Sequence, residues 1–337
     1  MNVAFTICSN NYLSQAKVLS ESFIKYNDST KFVIVLCDRF SNQIDYSRFE
    51  NVHFTTIEEL EIPCFEEIIA KYDIVELNTA IKASSFKYLS QLYEDVTKII
   101  YLDPDIEVFH DFKNLYNELE TNDIVLTPHL LYPTPLDNLS PSENIYLNYG
   151  LYNLGFLGLN IKSLNTLEFL DWWEKRLLER GFNDLCNGYF VDQLWVNLAP
   201  IFFKKVKILL DAGYNVAPWN LHERKLCYDD NYNIEGLYPL YFFHFSSYKV
   251  NDENVFSKYY NRVNNVNASD TLLMLYNNYK NKLLQNDIHN FSKIECVFGK
   301  RKSPIKKPSK FKQNIFLLIP PILLKIYYLF KVKIFKL

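Results

Sequence analysis

Two aspartates at the end of an apolar segment carry the clearest chemistry in the sequence. Residues 98–102 (Lys-Ile-Ile-Tyr-Leu) are typical of a buried β-strand, and Asp103 and Asp105 follow them directly. Residues two apart in extended backbone point to the same side, so the two carboxylates repel each other unless a cation lies beside them. A hard divalent cation typically binds one or two protein carboxylates together with phosphate oxygens. The pattern therefore predicts a phosphate-binding metal site, with a plain surface turn as the alternative.

The distribution of glycine supports a metal in that role. The first 149 residues contain no glycine, because all eight glycines lie at or beyond Gly150. This excludes a G-x-G-x-x-G dinucleotide turn and a G-x-x-x-x-G-K phosphate loop in the N-terminal half, since both need glycine backbone close to phosphate. If this half binds a nucleotide, a carboxylate-held metal must replace the glycine loop.

The elements that position the aspartates alternate between strands and helices, which predicts an α/β fold with a mostly parallel central sheet. The predicted strands are Val3–Cys8, Phe32–Cys37, Val52–Thr56, Lys98–Leu102, Ile124–Thr127, Gly155–Leu159 and Val206–Leu210. The predicted helices are Ser14–Tyr26, Thr79–Tyr93, Leu164–Arg180 and one that starts near Val191. Several strands are continuously apolar, as expected for parallel strands that are covered on both faces.

The formal net charge of −3 combines an acidic body with a basic C-terminal segment. Residues 300–337 contain 11 Lys and Arg and no Asp or Glu, so residues 1–299 carry 25 basic and 39 acidic side chains. An acidic body binds nucleic acid poorly, because that binding depends on neutralising phosphates. No nucleic-acid partner is therefore expected.

The basic segment predicts a membrane-associating tail, residues 300–337. Residues 300–312 hold seven basic side chains, and the apolar run 315–330 is broken by Pro320 and Pro321. A membrane-spanning helix needs about 20 apolar residues, which this interrupted run does not supply. A polybasic patch followed by an amphipathic helix is typical of proteins that bind an anionic membrane surface. A helix packed on the protein's own domain is the alternative.

The six cysteines and the N-terminus favour a reducing compartment. No C-x-x-C spacing occurs, and Cys8 and Cys37 lie in apolar strand-like segments, where they are expected to pack as small core residues. The sequence starts with a strand-like segment and shows no signal peptide. Together with the tail, this predicts a cytoplasmic protein, peripheral on the inner face of the plasma membrane.

Ordered motifs around the aspartates resemble the metal-dependent nucleotide-sugar glycosyltransferases of the GT-A fold, most closely glycosyltransferase family 8. The resemblance covers about residues 1–250 and rests on the segments Phe5–Tyr12, Thr79–Leu92, Lys98–Asp105, Tyr152–Gly158, Val191–Gln193 and Phe243–Ser246. It implies a Rossmann-type GT-A catalytic domain at residues 1–250, with a donor-binding half (1–130) and an acceptor-side half (131–250). Residues 251–299 are then a C-terminal helical extension.

The resemblance also implies roles for individual residues. Asp103, Asp105 and His244 are expected to bind Mn²⁺ or Mg²⁺, and Asp192 and Gln193 to lie at the reaction centre. The remaining expected contacts are with the donor (Thr6, Ile7, Asn10, Lys82, Asp103, Asn153 and Lys249) and on the acceptor side (His129, Trp219 and His222).

Several of these residues have plain structural alternatives. His244 could be a neutral core histidine, and Asp192 could cap a helix N-terminus. Trp219 could belong to a packed corner. The basic residue of the donor helix could be Lys87 in place of the preferred Lys82.

The implied function is transfer of a hexose-type sugar from a nucleoside diphosphate donor, UDP by preference, to a hydroxyl of a cell-surface glycan or lipid-linked precursor. Retention of configuration is implied, with Gln193 steadying the cationic sugar. An inverting transferase would need a base near the acceptor, and Asp192 or His129 would fill that role. A sugar nucleotidyltransferase or phosphodiesterase with the same metal pair and a glycan-binding module without catalysis remain as other classes.

Overall fold

The computed structural model describes residues 1–252, 256–265 and 269–301. The chain divides into two units, Met1–Lys300 and Arg301–Leu337. The predicted basic tail, apart from Lys300 and Arg301, lies outside the described residues. No described helix is both long enough and apolar enough to cross a membrane.

The strands form one large sheet and several small ones. They are β1 (Asn2–Cys8), β2 (Lys31–Leu36), β3 (Val52–Thr56), β4 (Lys98–Leu102), β5 (Ile106–Val108), β6 (Ile124–Leu126), β7 (Phe156–Asn160), β8 (Asn183–Asp184), β9 (Tyr189–Phe190), β10 (Val206–Ile208), β11 (Leu226–Tyr228), β12 (Tyr232–Ile234), β13 (Tyr238–Pro239) and β14 (Phe242–His244). The large sheet has seven strands in the order β10-β6-β7-β4-β1-β2-β3. Within it only β7 runs antiparallel to its neighbours. The predicted mostly parallel sheet is confirmed.

Helices pack against this sheet, and the last three helices come after the final strand in the chain. They are α1 (Leu13–Tyr26), α2 (Phe65–Lys71), α3 (Ile74–Ala80), α4 (Lys82–Leu92), α5 (Lys113–Thr121), α6 (Glu143–Tyr149), α7 (Leu164–Arg180), α8 (Gln193–Val196), α9 (Ala199–Phe202), α10 (Asn261–Asn265), α11 (Asp270–Gln285) and α12 (Ile288–Phe291). The predicted C-terminal helical extension is thus present as α10, α11 and α12.

The apolar strands are buried on both faces, as the sequence predicts. Along β1, Val3, Phe5 and Ile7 enter one hydrophobic cluster, whereas Ala4 and Cys8 enter a second cluster on the other face. Since successive side chains of a strand point to opposite faces, a strand that lies between two cores must be apolar at every position. Cys8 and Cys37 are buried as expected, and none of the six cysteines forms a disulfide.

Two predicted helices differ from those in the structure. The predicted helix Thr79–Tyr93 is two helices, because the chain bends at Ile81 (φ −89°, ψ 0°) between α3 and α4. The predicted helix near Val191 is the single turn α8, since Val191 itself has a left-handed backbone (φ 38°). Both are local departures from helical backbone that hydrophobic periodicity does not record.

A small two-stranded sheet carries the second half of the site. β14 pairs antiparallel with β5, so that His244 lies opposite Ile106. Helix α11 packs next to β14. The ring of Tyr279 on this helix stacks on Phe245, the residue after β14, at a centroid distance of 3.7 Å. This pairing brings a histidine about 140 residues away in sequence to the two aspartates that precede β5.

Candidate active site

Asp103, Asp105 and His244 converge beyond the end of β4. His244 Nε2 lies 3.0 Å from Asp105 Oδ1 and 3.7 Å from Asp103 Oδ2. One ligand atom from each of the three side chains lies within 4.8 Å of the others, as a shared metal ion requires. In the described ranges no other trio of His, Cys, Asp or Glu side chains meets this condition.

Backbone hydrogen bonds hold this cluster in place. The Asp103 N–H donates to the Gly155 carbonyl (2.8 Å), and the Phe245 N–H donates to the Asp105 carbonyl (2.9 Å). The first bond ties the aspartates to the start of β7, and the second ties them to the end of β14. The carboxylates are therefore positioned by two long-range pairings that meet at one edge of the sheet.

The negative charges around His244 favour a positive charge at this point. Burial lowers the pKa of His244, but the carboxylates of Asp105 and Asp103 outweigh that effect and raise the pKa above its usual value. A shared proton or a divalent metal ion would meet the same demand. Two carboxylates with one imidazole form a group that could hold a divalent metal ion.

Gly155 makes room for the imidazole. A Cβ atom at this position would lie 2.5 Å from His244 Cε1 and 2.8 Å from His244 Nδ1. Real Cβ contacts are not that short, so any side chain at residue 155 must displace the histidine ring. The glycine is therefore required for the position of His244 and not for a turn.

We expect Gly155→Ala to lower Mn²⁺ affinity and catalytic activity by at least about tenfold, because a candidate ligand displaced by even 1 Å loses productive geometry. Isothermal titration calorimetry with Mn²⁺ and a turnover assay measure the two effects. Gly188→Ala is the control, since a Cβ at Gly188 meets nothing within 4 Å, although its left-handed backbone (φ +76°) carries some strain. Equal Mn²⁺ affinity in Gly155→Ala and wild type would contradict this role for Gly155.

Lys82, the first residue of α4, lies beneath the cluster and joins two carboxylates. Its Nζ lies 2.7 Å from Asp192 Oδ2 and 3.5 Å from Asp103 Oδ1. It also donates to the Leu154 carbonyl (2.7 Å) and lies 4.2 Å from the centre of the Tyr101 ring. Burial lowers the pKa of Lys82, but the two carboxylates outweigh it and raise the pKa, so this lysine stays charged.

The alternative residue, Lys87, lies elsewhere. Its Nζ pairs with Asp171 (2.8 Å) and Glu174 (2.7 Å) on α7. Of the two lysines that the sequence left open, only Lys82 belongs to the site. Lys82 does not line the cavity described below, so its contact with a donor stays a prediction.

Asp192 and Gln193 lie on the other side of Lys82. Asp192 makes no side-chain capping hydrogen bond to α8, contrary to the capping alternative, and is buried against Lys82. Gln193 accepts from the Leu154 N–H (3.1 Å) and donates to the Tyr149 carbonyl (2.9 Å). Its carboxamide therefore fixes the chain on both sides of the turn that carries Asn153.

Both ring nitrogens of His129 have hydrogen-bond partners, and one of these partners is Asn153. Asn153 Nδ2 donates to His129 Nε2 (3.3 Å), while His129 Nδ1 lies 3.3 Å from the Leu151 carbonyl. Burial lowers the pKa of His129 to about 3, so the ring is neutral. The neutral tautomer with a proton on Nδ1 satisfies both partners.

This neutral histidine makes stability depend on pH. Below pH 6.5 the unfolded chain binds a proton at His129 that the folded protein takes up only near pH 3, so falling pH favours unfolding. We expect the stability advantage of wild type over His129→Gln to shrink by about 2.5 kcal/mol between about pH 6.5 and 4.5. Urea unfolding of both proteins at each pH measures the difference. A difference that stays constant with pH would contradict the buried neutral ring.

A cavity of about 250 Å³ opens beside the aspartates. It is lined by the end of β1 and the turn after it, by α3, and by the end of β4 with the residues after it: Ile7, Cys8, Ser9, Asn11, Tyr12, Ile74, Val75, Asn78, Thr79, Tyr101, Asp103, Pro104 and Asp105. Of the predicted donor contacts, only Ile7 and Asp103 line it. Thr6 is fully buried behind it.

Asn10 points away from this cavity. Its Nδ2 donates to the Arg39 carbonyl (2.8 Å), and its Oδ1 accepts from the Tyr46 hydroxyl (2.7 Å). Asn11 and Tyr12 line the cavity instead, and sequence reasoning did not single them out, because a 3₁₀ turn sets which neighbouring side chain faces inwards. The run Asn10-Asn11-Tyr12 was the sequence feature from which a cavity contact by Asn11 or Tyr12 could have been predicted. No sequence feature marked the α3 residues that line the cavity.

The predicted acceptor-side residues and Lys249 do not line this cavity and lie in different surroundings. The buried Trp219 packs edge-on against His244 (5.2 Å) and His129 (5.4 Å), so it lies directly against the candidate ligand His244. His222 is half-buried, and neither ring nitrogen has a hydrogen-bond partner among the described residues. Lys249 is exposed and forms no salt bridge within the described part of the chain.

Comparisons with known proteins agree with the motif order. The model of the family described as "Glycosyl transferase family 8" matches residues 2–235. Two uncharacterized proteins of Bacillus subtilis strain 168 are similar over most of their length. YfnD is 24% identical over 281 residues (81% of this chain, 86% of that protein), and YfnF is 22% identical over 254 residues (73% and 81%).

Two solved structures show a more distant likeness. One is the galactosyltransferase LgtC in complex with donor and acceptor sugar analogues (15% identity, 85% of this chain, 96% of that chain, TM-score 0.48). The other is the glycosyltransferase GlyE of Streptococcus pneumoniae TIGR4 (14% identity, 90% of this chain, 67% of that chain, TM-score 0.47).

Proposed function

Because the chain belongs to glycosyl transferase family 8, we propose that it moves a hexose-type sugar from a UDP-sugar donor to a hydroxyl group with retained configuration. The family match confirms the predicted family, the GT-A-like fold class and the transferase class. The finer proposal is carried by one observation, the convergence of Asp103, Asp105 and His244 beside a cavity that both aspartates line.

The cofactor proposed for this site is Mn²⁺ or Mg²⁺. Asp103, Asp105 and His244 would hold it, because their ligand atoms already lie within 4.8 Å of one another and their net charge demands a cation. A bound metal ion supplies positive charge where negative charge grows on the departing diphosphate.

The protein's own side chains then position the donor. The nucleoside is proposed to lie in the cavity along Ile7 and Asn11, with the part-exposed ring of Tyr12 available to stack on the base. Lys82 holds Asp103 and Asp192 at fixed distances, so both carboxylates are preorganised before the donor binds. Gln193 and Asn153 fix the turn proposed to face the sugar. Lys249 remains our proposal for a further diphosphate contact.

Retention is supported by the state of the two residues that could serve as a base for inversion. Asp192 is buried and paired with Lys82, and the Nε2 lone pair of His129 already accepts a hydrogen bond from Asn153. Neither side chain presents a free proton acceptor towards the cavity. With retention, the acceptor proton passes to the leaving phosphate oxygen, and Gln193 steadies the cationic sugar without acting as a base.

The proposed acceptor is a cell-surface glycan or its lipid-linked precursor at the inner face of the plasma membrane. The basic segment 300–337 supports this proposal through its 11 positive and no negative side chains. A lipid-linked acceptor would be met at that surface.

A panel of nucleotide sugars with Mn²⁺ tests the reaction. We expect release of nucleoside diphosphate, either on transfer to an added glycan or by slow hydrolysis of the donor, and loss of release with EDTA. Chromatography of the nucleotide products distinguishes the outcomes. Release of nucleoside monophosphate and sugar 1-phosphate would show a phosphodiesterase, and release of pyrophosphate from an added nucleoside triphosphate and sugar 1-phosphate would show a nucleotidyltransferase. Donor binding without turnover on any acceptor would favour a binding module.

A further inference from the structure

The segment that leaves the reaction centre ends in an exposed apolar turn. Helix α8 starts at Gln193, and α9 follows after only two residues. Leu198, Ile201 and Phe202 are 36%, 75% and 54% exposed, respectively. Their i, i+3, i+4 spacing places the three side chains on one face of the turn. An exposed cluster of large apolar side chains usually marks an interaction site.

This turn is held rigidly from beneath. Phe203 packs between Phe169 and Trp172, at ring distances of 5.4 and 5.6 Å, and Ala199 is fully buried. The Phe202 ring also meets Trp172 edge-on at 5.8 Å. The exposure of the apolar face is therefore a property of the packed fold and does not come from fraying.

Two lysines follow the apolar face directly in the chain. Lys204 and Lys205 are exposed, and neither forms a salt bridge with any described residue. The Asn165 side chain fixes the Lys204 backbone, donating to its carbonyl (2.8 Å) and accepting from its N–H (3.1 Å). These two adjacent positive charges lie in a part of the chain, residues 1–299, that is acidic as a whole, with 39 acidic and 25 basic side chains.

The apolar face is linked to the acceptor half of the site. Leu151 is exposed, and its N–H donates to the Asn197 side chain (2.8 Å), next to Leu198. Leu151 is also two residues from Asn153 in the turn held by Gln193. The exposed apolar side chains therefore extend from α9 towards the reaction centre.

We propose that Leu198, Ile201, Phe202, Lys204 and Lys205 form a lipid-contact surface that seats the acceptor side of the active site on an anionic membrane. Apolar side chains that enter the acyl boundary beside lysines that meet lipid phosphates are the combination such surfaces use. A second copy of the chain fits less well, because a two-fold interface would bring like-charged lysine pairs together. The purpose of this surface rests on the proposed function, but its geometry does not.

Vesicle binding of the full-length chain tests the proposal without any donor or acceptor. We expect the double variant Ile201→Asp/Phe202→Asp to lower partition onto vesicles of phosphatidylglycerol and phosphatidylcholine by at least about tenfold. The matched control is Leu237→Asp, since Leu237 is 74% exposed between β12 and β13, and it should stay within about twofold of wild type. Equal partition of the double variant and the control would overturn the proposal.

Charge reversal provides the second arm. Lys204→Glu/Lys205→Glu should weaken binding to anionic vesicles by at least about tenfold and leave the weak binding to pure phosphatidylcholine unchanged. Lys225→Glu, at another exposed lysine, is the control. If the α9 variants instead dissociate a dimer in light scattering while vesicle binding stays at the wild-type level, the surface is a subunit interface and the proposal fails.

The two proposals can fail separately. Donor hydrolysis in detergent-free solution should be the same in the α9 variants and wild type, because none of these side chains belongs to the metal cluster or its ion network. Absence of hydrolysis in wild type would count against the proposed function, while the vesicle measurements would still decide the lipid-contact surface.

Discussion

Replacing Asp105 with asparagine should reduce sugar transfer by at least about a thousandfold, equivalent to about 4 kcal/mol of transition-state stabilisation. Asparagine keeps the shape of the side chain but removes one of the two charges that draw a cation to the site. His244 loses the carboxylate 3.0 Å from its Nε2 at the same time. Mn²⁺ affinity, measured by titration calorimetry, should fall together with turnover in the donor assay.

Asp111→Asn is the matched control for this change. Asp111 follows β5 with a half-exposed carboxylate, only six residues further along the chain, and takes no part in the cluster of Asp103, Asp105 and His244. Its replacement should alter neither Mn²⁺ affinity nor turnover by more than about twofold, as expected for a surface charge. Full turnover in Asp105→Asn would show that the metal assignment is wrong, whatever the control shows.

Replacing Lys82 with methionine should destabilise the protein by about 3–5 kcal/mol, because it leaves Asp192 buried without a partner charge. Lys87→Met, five residues further along the same helix, should cost at most about 1 kcal/mol, since the Lys87 side chain is 32% exposed and that of its partner Asp171 is 60% exposed. Urea unfolding measures both values. Of the two variants, only Lys82→Met should show a sharp fall in donor hydrolysis, because Lys82 contacts Asp103 and Lys87 does not.

A second substitution separates the lost charge pair from simple loss of packing. Adding Asp192→Asn to Lys82→Met removes the unpaired carboxylate and should restore part of the lost stability, which gives a coupling free energy between the two sites. No recovery in the double variant, or equal costs for Lys82→Met and Lys87→Met, would contradict the buried ion network.

Features recorded in local sequence were predictable from the chain alone. The seven strands of the large sheet are each recognisable, because a strand covered on both faces must be apolar at nearly every position. Asp103 and Asp105 were identifiable as candidate metal ligands for a similarly local reason, since two acids after a buried strand need a nearby cation. His244 was identifiable as the third candidate only because its motif resembles a known family.

Features that depend on the direction of a side chain required the tertiary structure. Lys82 and Lys87 lie on one helix with equal charge, and only the bend at Ile81 and the packing of α4 decide which of them reaches Asp103. Asn10 and Asn11 are adjacent and identical, yet a single 3₁₀ turn directs one towards Arg39 and the other into the cavity.

The sequence by itself thus determined the sheet, the candidate metal pair and the family, because each is fixed by residue types at short range. The structure alone decided that Gly155 admits the His244 ring, that the two ring nitrogens of His129 meet Asn153 and Leu151, and that the apolar face of α9 is exposed. Each of these depends on contacts between segments far apart in the chain, and such contacts leave no periodic pattern in the sequence.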